Sequence, residues 1–138
     1  MEMLTIRNPA NGHVIESIPS TDPKQIHETF VQAKIAQRKW YQTPLDIRME
    51  KLRDLQERLI EERHDLSEII VKENGKPAFE ALTNEIFPTV ELISFFASNT
   101  QRVLKTKNIP LRLMRHRRST LSYEPLGTVL IISPWNYP

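Results

Sequence analysis

Chemically useful side chains are concentrated at the end of the sequence, in the polar and aromatic loop formed by residues 133–136. The loop follows residues 129–132, a run that is apolar at every position. Such a run is typical of a strand covered on both faces, as in a parallel sheet between layers of helices. Open α/β sheets bind their ligands at the carboxyl ends of the strands. The pattern therefore predicts either a ligand-binding loop or an ordinary proline-containing loop after a buried strand.

Residues 124–138, Glu-Pro-Leu-Gly-Thr-Val-Leu-Ile-Ile-Ser-Pro-Trp-Asn-Tyr-Pro, resemble the segment by which the NAD(P)-dependent aldehyde dehydrogenase superfamily is identified. Earlier parts resemble the same family in the same order: Asn-Pro-Ala-Asn-Gly at 8–12, Trp40, Arg48 and Glu-Asn-Gly-Lys-Pro at 73–77. The resemblance spans nearly the whole chain, but it covers only the opening part of such an enzyme. We therefore expect an N-terminal segment of an aldehyde dehydrogenase.

The resemblance implies an aldehyde dehydrogenase-like α/β fold. Its N-terminal segment would be mainly helical, with a β-hairpin at its start, a β-hairpin arm near its end and the first buried strand. Residues 1–110 would form the N-terminal helical part of the cofactor-binding domain. Residues 111–126 would form the hairpin arm, which mediates oligomerisation in the family. Residues 127–138 would supply a strand and a loop of the cofactor and active-site cleft.

The resemblance also implies a reaction and the residues for it. Family members oxidise an aldehyde to a carboxylic acid with a cysteine nucleophile, an oxyanion-stabilising asparagine, a glutamate base and a bound NAD or NADP. Asn136, by its place in Trp-Asn-Tyr-Pro, matches that asparagine. A neutral amide suits this role because it donates a hydrogen bond without losing a proton. The cofactor-binding loop of the family matches the following residues: Ile132, Ser133, Pro134, Trp135 and Asn136.

The other catalytic groups of the family have no counterpart in the sequence. It contains no cysteine, and its three glycines each have a local structural role, so they do not form a phosphate-binding loop. The four histidines share no spacing typical of metal ligands, so we expect no metal site. We therefore expect the chain alone to be inactive and to bind neither NAD nor NADP, although either is the expected cofactor of the full-length enzyme. Its partners would be an aldehyde and further copies of the chain.

Composition sets broad limits. Hydrophobic residues make up 39% of the chain and charged residues 26%, which is ordinary for a soluble globular protein. No apolar run is long enough to span a membrane, and the N-terminus lacks the pattern of a signal peptide. We therefore expect a cytoplasmic protein without a membrane partner.

The charge distribution leaves an alternative open. Residues 101–118 contain seven Lys or Arg and no Asp or Glu, although the net charge is only +2. This stretch could form a basic nucleic-acid-binding module with salt-dependent affinity for phosphates. Only Tyr123 lies nearby to stack on bases, so we expect no nucleic-acid partner. A third alternative is a module that associates through exposed strands.

Local patterns predict the first elements. Two short strands, at residues 4–6 and 13–18, flank an Asn-Gly turn and predict a hairpin. Asp22 and Gln25 form a capping box at the start of a helix that continues to about residue 42. Trp40 lies on the apolar face of this helix, where we expect it to pack in the core.

A second helix is expected to begin after Thr43 with a similar cap. Asp65 and Glu68 resemble another capping box, which predicts a break near His64 and a third helix. Gly75 is placed to end that third helix in the left-handed conformation.

The remaining elements are a kinked helix and a second hairpin. Pro88 is expected to kink or restart the helix in which it lies. Glu85 is expected to be solvated, together with the neighbouring glutamates on this helix. Strand-like alternation at residues 111–116 and 120–124 predicts the C-terminal hairpin, and the copies are expected to associate through this hairpin and residues 129–132.

Overall fold

The computed structural model describes residues 2–137, and Met1 and Pro138 lie outside the described residues. In residues 2–137, one hairpin precedes and one follows the helices in the sequence. In chain order the elements are β1 (Met3–Arg7), β2 (Val14–Pro19), α1 (Pro23–Gln42), α2 (Leu45–Glu61), α3 (Arg63–Asn74), α4 (Ala78–Glu80), a π-helical segment (Ala81–Ile86), α5 (Phe87–Val103), β3 (Lys107–Ile109) and β4 (Ser119–Leu121). The expected mainly helical architecture with a hairpin at each end is confirmed.

The N-terminal hairpin forms where the sequence predicts it. Strands β1 and β2 pair in antiparallel register, with a bulge between Ile6 and Arg7. The connecting turn closes through a 2.9 Å hydrogen bond from the amide of Asn8 to the carbonyl of His13, and Gly12 has a φ of 74°. The positive φ explains why an Asn-Gly sequence stands at this turn.

Helix α1 begins with the predicted capping box. The carboxylate of Asp22 accepts a 2.7 Å hydrogen bond from the amide of Lys24, and the Gln25 side chain accepts one from the amide of Asp22. The expectation that its apolar face packs in a core is wrong for the described chain, because α1 contains no buried residue and Trp40 is 47% exposed. The physical reason is that the other helices pack mainly on one another and leave this face open.

The boundary between α2 and α3 lies at Glu62, two residues before the predicted break at His64. The capping box expected at Asp65 does not form. Hydrogen bonds from the amide of Glu62 to the carbonyl of Arg58 and from the amide of Leu66 to the carbonyl of Glu62 continue the helical pattern across the boundary. Donors that a capping side chain would satisfy are therefore already bonded.

The cap expected at the start of α2 is also wrong. Helix α2 begins after Pro44, which as the N-cap residue makes no side-chain capping hydrogen bond. The hydroxyl of Thr43 instead donates a 3.1 Å hydrogen bond to the carbonyl of Lys39, at the end of α1. Thr43 thus completes the preceding helix rather than starting the next one.

Pro88 does not break the helix; instead, the helical turn that precedes it in the sequence is widened. The π-helical segment (Ala81–Ile86) lies immediately upstream, and the amide of Phe87 donates to the carbonyl of Leu82, five residues earlier. Proline lacks an amide hydrogen and its ring collides with the carbonyl four residues before it, so a wider turn relieves the conflict. The widened turn faces inward, because Ala81, Glu85 and Ile86 are buried.

A small core lies where α2 and α3 meet the π-helical segment and α5. Ala97 is buried on α5, and Ser67 is buried on α3. The side-chain amide of Gln56 donates a 3.1 Å hydrogen bond to the carbonyl of Val90, which joins α2 to α5. None of the helices between residues 2 and 137 is both long and apolar enough to cross a bilayer.

The C-terminal hairpin is displaced from its predicted position. Its strands are β3 (Lys107–Ile109) and β4 (Ser119–Leu121), so the strand expected at 111–116 is wrong and those residues form part of a long loop. A tight hairpin turn needs residues that accept positive φ, and residues 110–118 include neither glycine nor asparagine. The long loop avoids this requirement. The oligomerisation role of residues 111–126 stays a prediction.

The buried strand expected at residues 129–132 does not form in the described chain. These residues belong to no strand, and their side chains are 67 to 86% exposed. A strand needs a neighbour to complete its ladder of hydrogen bonds, and residues 2–137 provide none at this position. The segment is therefore an unpaired apolar stretch.

We expect the chain to self-associate through this stretch, because unpaired apolar backbone pairs readily with another copy. Sedimentation of the chain at tens of micromolar should show oligomers, and Leu130→Lys with Ile132→Lys should shift it toward the monomer. Leu92→Lys, which changes an exposed leucine of α5, is the matched control and should leave the oligomers intact. A sharp monomer peak for the unaltered chain would contradict this expectation.

Candidate active site

The C-terminal loop at residues 133–137 ends in a β-turn. The amide of Tyr137 donates a 3.4 Å hydrogen bond to the carbonyl of Pro134, so Trp135 and Asn136 occupy the two central positions of the turn. Both side chains are exposed, Trp135 to 77%. The turn therefore presents an indole and an amide side by side at the surface.

Two side chains from the end of α3 hold the backbone of this turn. The side-chain amide of Asn74 donates a 2.9 Å hydrogen bond to the carbonyl of Trp135. The ammonium of Lys76 donates a 2.8 Å hydrogen bond to the carbonyl of Asn136. Because two consecutive carbonyls are held, the orientation of both peptide planes is fixed. The Asn136 side chain remains available, since it makes no hydrogen bond to another residue between 2 and 137.

Lys76 is the centre of this arrangement. Its ammonium forms an ion pair with the carboxylate of Glu85 and lies 4.2 Å from the centroid of the Tyr137 ring. The two side chains of the ion pair are 11% and 6% exposed. A carboxylate, a carbonyl and an aromatic face therefore surround one buried cation, which is a favourable combination for an ammonium.

Glu85 corrects the expectation that this glutamate is solvated. It lies on the π-helical segment (Ala81–Ile86), whose widened turn directs it inward. Burial of an unpaired carboxylate is costly, so the ammonium of Lys76 is what makes this position tolerable.

Gly75 shapes the segment between the two holding residues. It ends α3 with a φ of 81°, as the sequence predicts, and this reverses the chain between Asn74 and Lys76. A Cβ atom at Gly75 would lie 3.0 Å from Cγ of Pro9, in the turn of the N-terminal hairpin. Three of the sequence motifs, at 8–12, 73–77 and 124–138, therefore meet here.

Other residues singled out in the sequence lie outside this cluster. Trp40 lines a shallow recess of about 580 Å³ that also includes Thr128. The Nε atom of Arg48 is buried and makes no hydrogen bond within the described chain. Neither residue forms a hydrogen bond to the loop among residues 2–137.

The five residues expected along the cofactor form one continuous exposed stretch. Ile132 is 86% exposed, and Ser133, Pro134, Trp135 and Asn136 are also exposed. Their role in binding NAD or NADP stays a prediction. Nowhere in residues 2–137 do three or more His, Asp or Glu side chains gather in a way that could hold a metal ion.

Sequence reasoning missed the residues that hold the loop. In the sequence, Asn74 and Lys76 are noticeable only as part of the motif at 73–77, and Glu85 is expected to be solvated. One signal was present in the sequence: the motif at 73–77 places a polar side chain on each side of Gly75. The carbonyls that Asn74 and Lys76 bind had no local signal, because they lie 61 and 60 residues further along the chain.

Comparisons with known proteins agree with the motifs. The model of the aldehyde dehydrogenase family matches residues 2–138. A succinate semialdehyde dehydrogenase of Escherichia coli (strain K12) is 31% identical over 131 residues, which is 95% of this chain and 28% of that protein. A 4,4'-diapolycopene aldehyde oxidase of Methylomonas sp is 29% identical over 140 residues, which is 100% of this chain and 26% of that protein.

Solved structures agree on the fold. An aldehyde dehydrogenase from Brucella melitensis biovar abortus 2308 superposes with a TM-score of 0.91 at 29% identity, over 99% of this chain and 28% of that chain. An NADP-dependent glyceraldehyde-3-phosphate dehydrogenase from Bacillus halodurans C-125, complexed with NADP, has a TM-score of 0.86 at 29% identity, over 99% of this chain and 29% of that chain. The chain therefore belongs to the aldehyde dehydrogenase family and has the corresponding fold. It spans between a quarter and a third of the length of these relatives.

We expect Gly75→Ala to destabilise the chain more than Gly12→Ala does. Both glycines have a positive φ, at 81° and 74°, so alanine is strained at both, by about 1–2 kcal/mol. Only at Gly75 would the added Cβ also come into tight contact, 3.0 Å from Cγ of Pro9, whereas the space at Gly12 is open. Urea denaturation of the two variants measures the difference in the free energy of unfolding. Equal losses would show that the contact with Pro9 adds nothing.

Proposed function

We propose that this chain forms the N-terminal part of an NAD(P)-dependent aldehyde dehydrogenase, to which it contributes the oxyanion donor Asn136 and one wall of the cofactor cleft. The observation that carries the proposal is the held turn. Its backbone carbonyls are bound by Asn74 and Lys76, while the Asn136 amide faces outward without a partner in residues 2–137. Membership of the aldehyde dehydrogenase family supports this function over a nucleic-acid-binding module built on the basic residues 101–118.

The chemistry needs a hydrogen-bond donor where the aldehyde oxygen becomes negative. A cysteine, supplied by residues outside this sequence, would attack the aldehyde carbon and form a thiohemiacetal. As the carbon–sulfur bond forms, the C=O double bond becomes a single bond and the aldehyde oxygen gains negative charge. The side-chain N–H of Asn136 would donate to that oxygen. Because Asn74 and Lys76 hold the backbone of the turn, the Cα atom that carries this donor is placed before the charge develops.

The exposed stretch at 132–136 is better suited to apolar contact along one side of a dinucleotide than to binding its phosphates. Ile132, Pro134 and Trp135 offer apolar and aromatic surface, and the described chain has no glycine-rich phosphate loop. When bound, NAD or NADP would supply the hydride acceptor for the oxidation. The loop would then contribute by covering one side of the cofactor.

We expect Asn136→Ala in the enzyme that contains this chain to lower kcat by about 10²–10³, as loss of one oxyanion donor does elsewhere. Cofactor affinity should change little, because Lys76 binds the backbone carbonyl of residue 136 and not its side chain. Steady-state kinetics with an aldehyde, beside a titration with NAD or NADP, separate the two effects. Asn99→Ala, which removes a surface amide bonded to the carbonyl of Phe95, is the control. A near-normal kcat for Asn136→Ala would exclude a catalytic role.

We expect the 138-residue chain by itself to bind NAD and NADP very weakly or not at all. The reason is that its cofactor stretch is exposed and no phosphate-binding turn accompanies it in the sequence. Isothermal titration calorimetry with each nucleotide tests this expectation. Micromolar affinity for either would show that the chain contains a complete nucleotide site.

A further inference from the structure

Lys76 makes contacts that its position in the chain does not require. A lysine just after the end of a helix normally extends into water, yet this side chain is only 11% exposed. It points instead toward the π-helical segment and the C-terminal loop. There its ammonium forms an ion pair with Glu85, donates a hydrogen bond to the carbonyl of Asn136 and lies over the ring of Tyr137. Its burial therefore joins α3, the π-helical segment and the loop at one atom.

The need of two buried charges for partners explains why these three elements meet at Lys76. A carboxylate that is 6% exposed needs a cation, and an ammonium that pairs with one carboxylate still has two hydrogens to place. One of them reaches the carbonyl of Asn136, and the cation also faces the ring of Tyr137. If the loop moved away, Lys76 would lose two of these three partners while the cost of burying its charge remained.

We propose that Lys76 is a positioning residue, which orients the oxyanion donor by holding the Asn136 carbonyl, with Glu85 as its buried counter-ion. This proposal rests on the proposed function for its catalytic consequence, but the holding of the loop is independent of it. The carbonyl of Asn136 and its side chain share one Cα atom. Loss of Lys76 would free the backbone of the turn to shift at this Cα atom and carry the amide with it. Misplacement of a reacting group by about 1 Å costs up to about 10²-fold in rate.

The loop can be observed directly through Trp135. The sequence contains two tryptophans, so Trp40→Phe leaves Trp135 as the only one. In this background, Lys76→Met combined with Glu85→Gln removes the ion pair without leaving a buried charge, and circular dichroism checks the fold. Time-resolved fluorescence anisotropy of Trp135 should gain a fast component in this variant. In the same Trp40→Phe background with Glu85 unchanged, Lys76→Arg keeps the positive charge and the hydrogen-bond donors, and the slow anisotropy decay of Trp135 should be retained.

The matched control is the ion pair between Lys72 and Glu68, which is exposed on α3 one turn away. Lys72→Met combined with Glu68→Gln should leave the anisotropy decay of Trp135 unchanged. An unchanged decay after removal of Lys76 and Glu85 would overturn the proposal, whether or not the protein oxidises aldehydes. Equal effects of the two double substitutions would overturn it as well.

A double-mutant cycle in the full-length enzyme tests the catalytic part. Removal of Lys76 and Glu85 should lower kcat by about 10–100-fold while Asn136 is present, and by far less in the Asn136→Ala background, with KM little changed. Additive losses in kcat would assign the pair to general stability and overturn the positioning role. If the unaltered enzyme oxidises no aldehyde, the proposed function fails instead, and the anisotropy result still decides whether Lys76 holds the loop.

Discussion

The placement of the C-terminal loop depends on the buried ion pair between Lys76 and Glu85. Both charges lie in a region where water contributes little solvation, so each is tolerable only while the other is in place. Glu85 is turned inward by the π-helical segment, and that segment exists because Pro88 does not fit a regular α-helical turn. A backbone conflict in one helix thus fixes a cation that reaches the carbonyl of Asn136.

The same cluster brings motifs that are distant in the sequence close together in the fold. Glycine is favoured at position 75 because its φ is 81° and because a Cβ atom there would lie only 3.0 Å from Cγ of Pro9. The reversal at Gly75 directs Asn74 and Lys76 toward two adjacent carbonyls of the loop. Hairpin, helix end and loop therefore form a single unit. Within it, the backbone of the loop is held, and the Asn136 side chain makes no hydrogen bond to another residue between 2 and 137.

Features governed by neighbouring residues could be predicted from the sequence. The capping box at Asp22, the left-handed end at Gly75 and the family to which the chain belongs were all correct, because each depends on a short motif. The buried state of Glu85 could not be predicted, since it depends on a widened helical turn and on Lys76. The strand expected at 129–132 failed for a related reason: an apolar run forms a strand only beside a partner, and the described residues contain none. At the site itself, the sequence indicated Asn136 but not the residues that hold its backbone.

The central claim is that the backbone of Asn136 is rigid while its side chain remains free to donate. ¹⁵N relaxation of the chain measures this directly, since the backbone amide and the side-chain NH₂ of Asn136 give separate signals. The account predicts a backbone order parameter of about 0.85, the value typical of rigid backbone, at the amides of Asn136 and Tyr137, which report the two held peptide planes. A backbone order parameter below about 0.6, as in flexible segments, would contradict it, because a mobile turn could not hold an oxyanion donor in place.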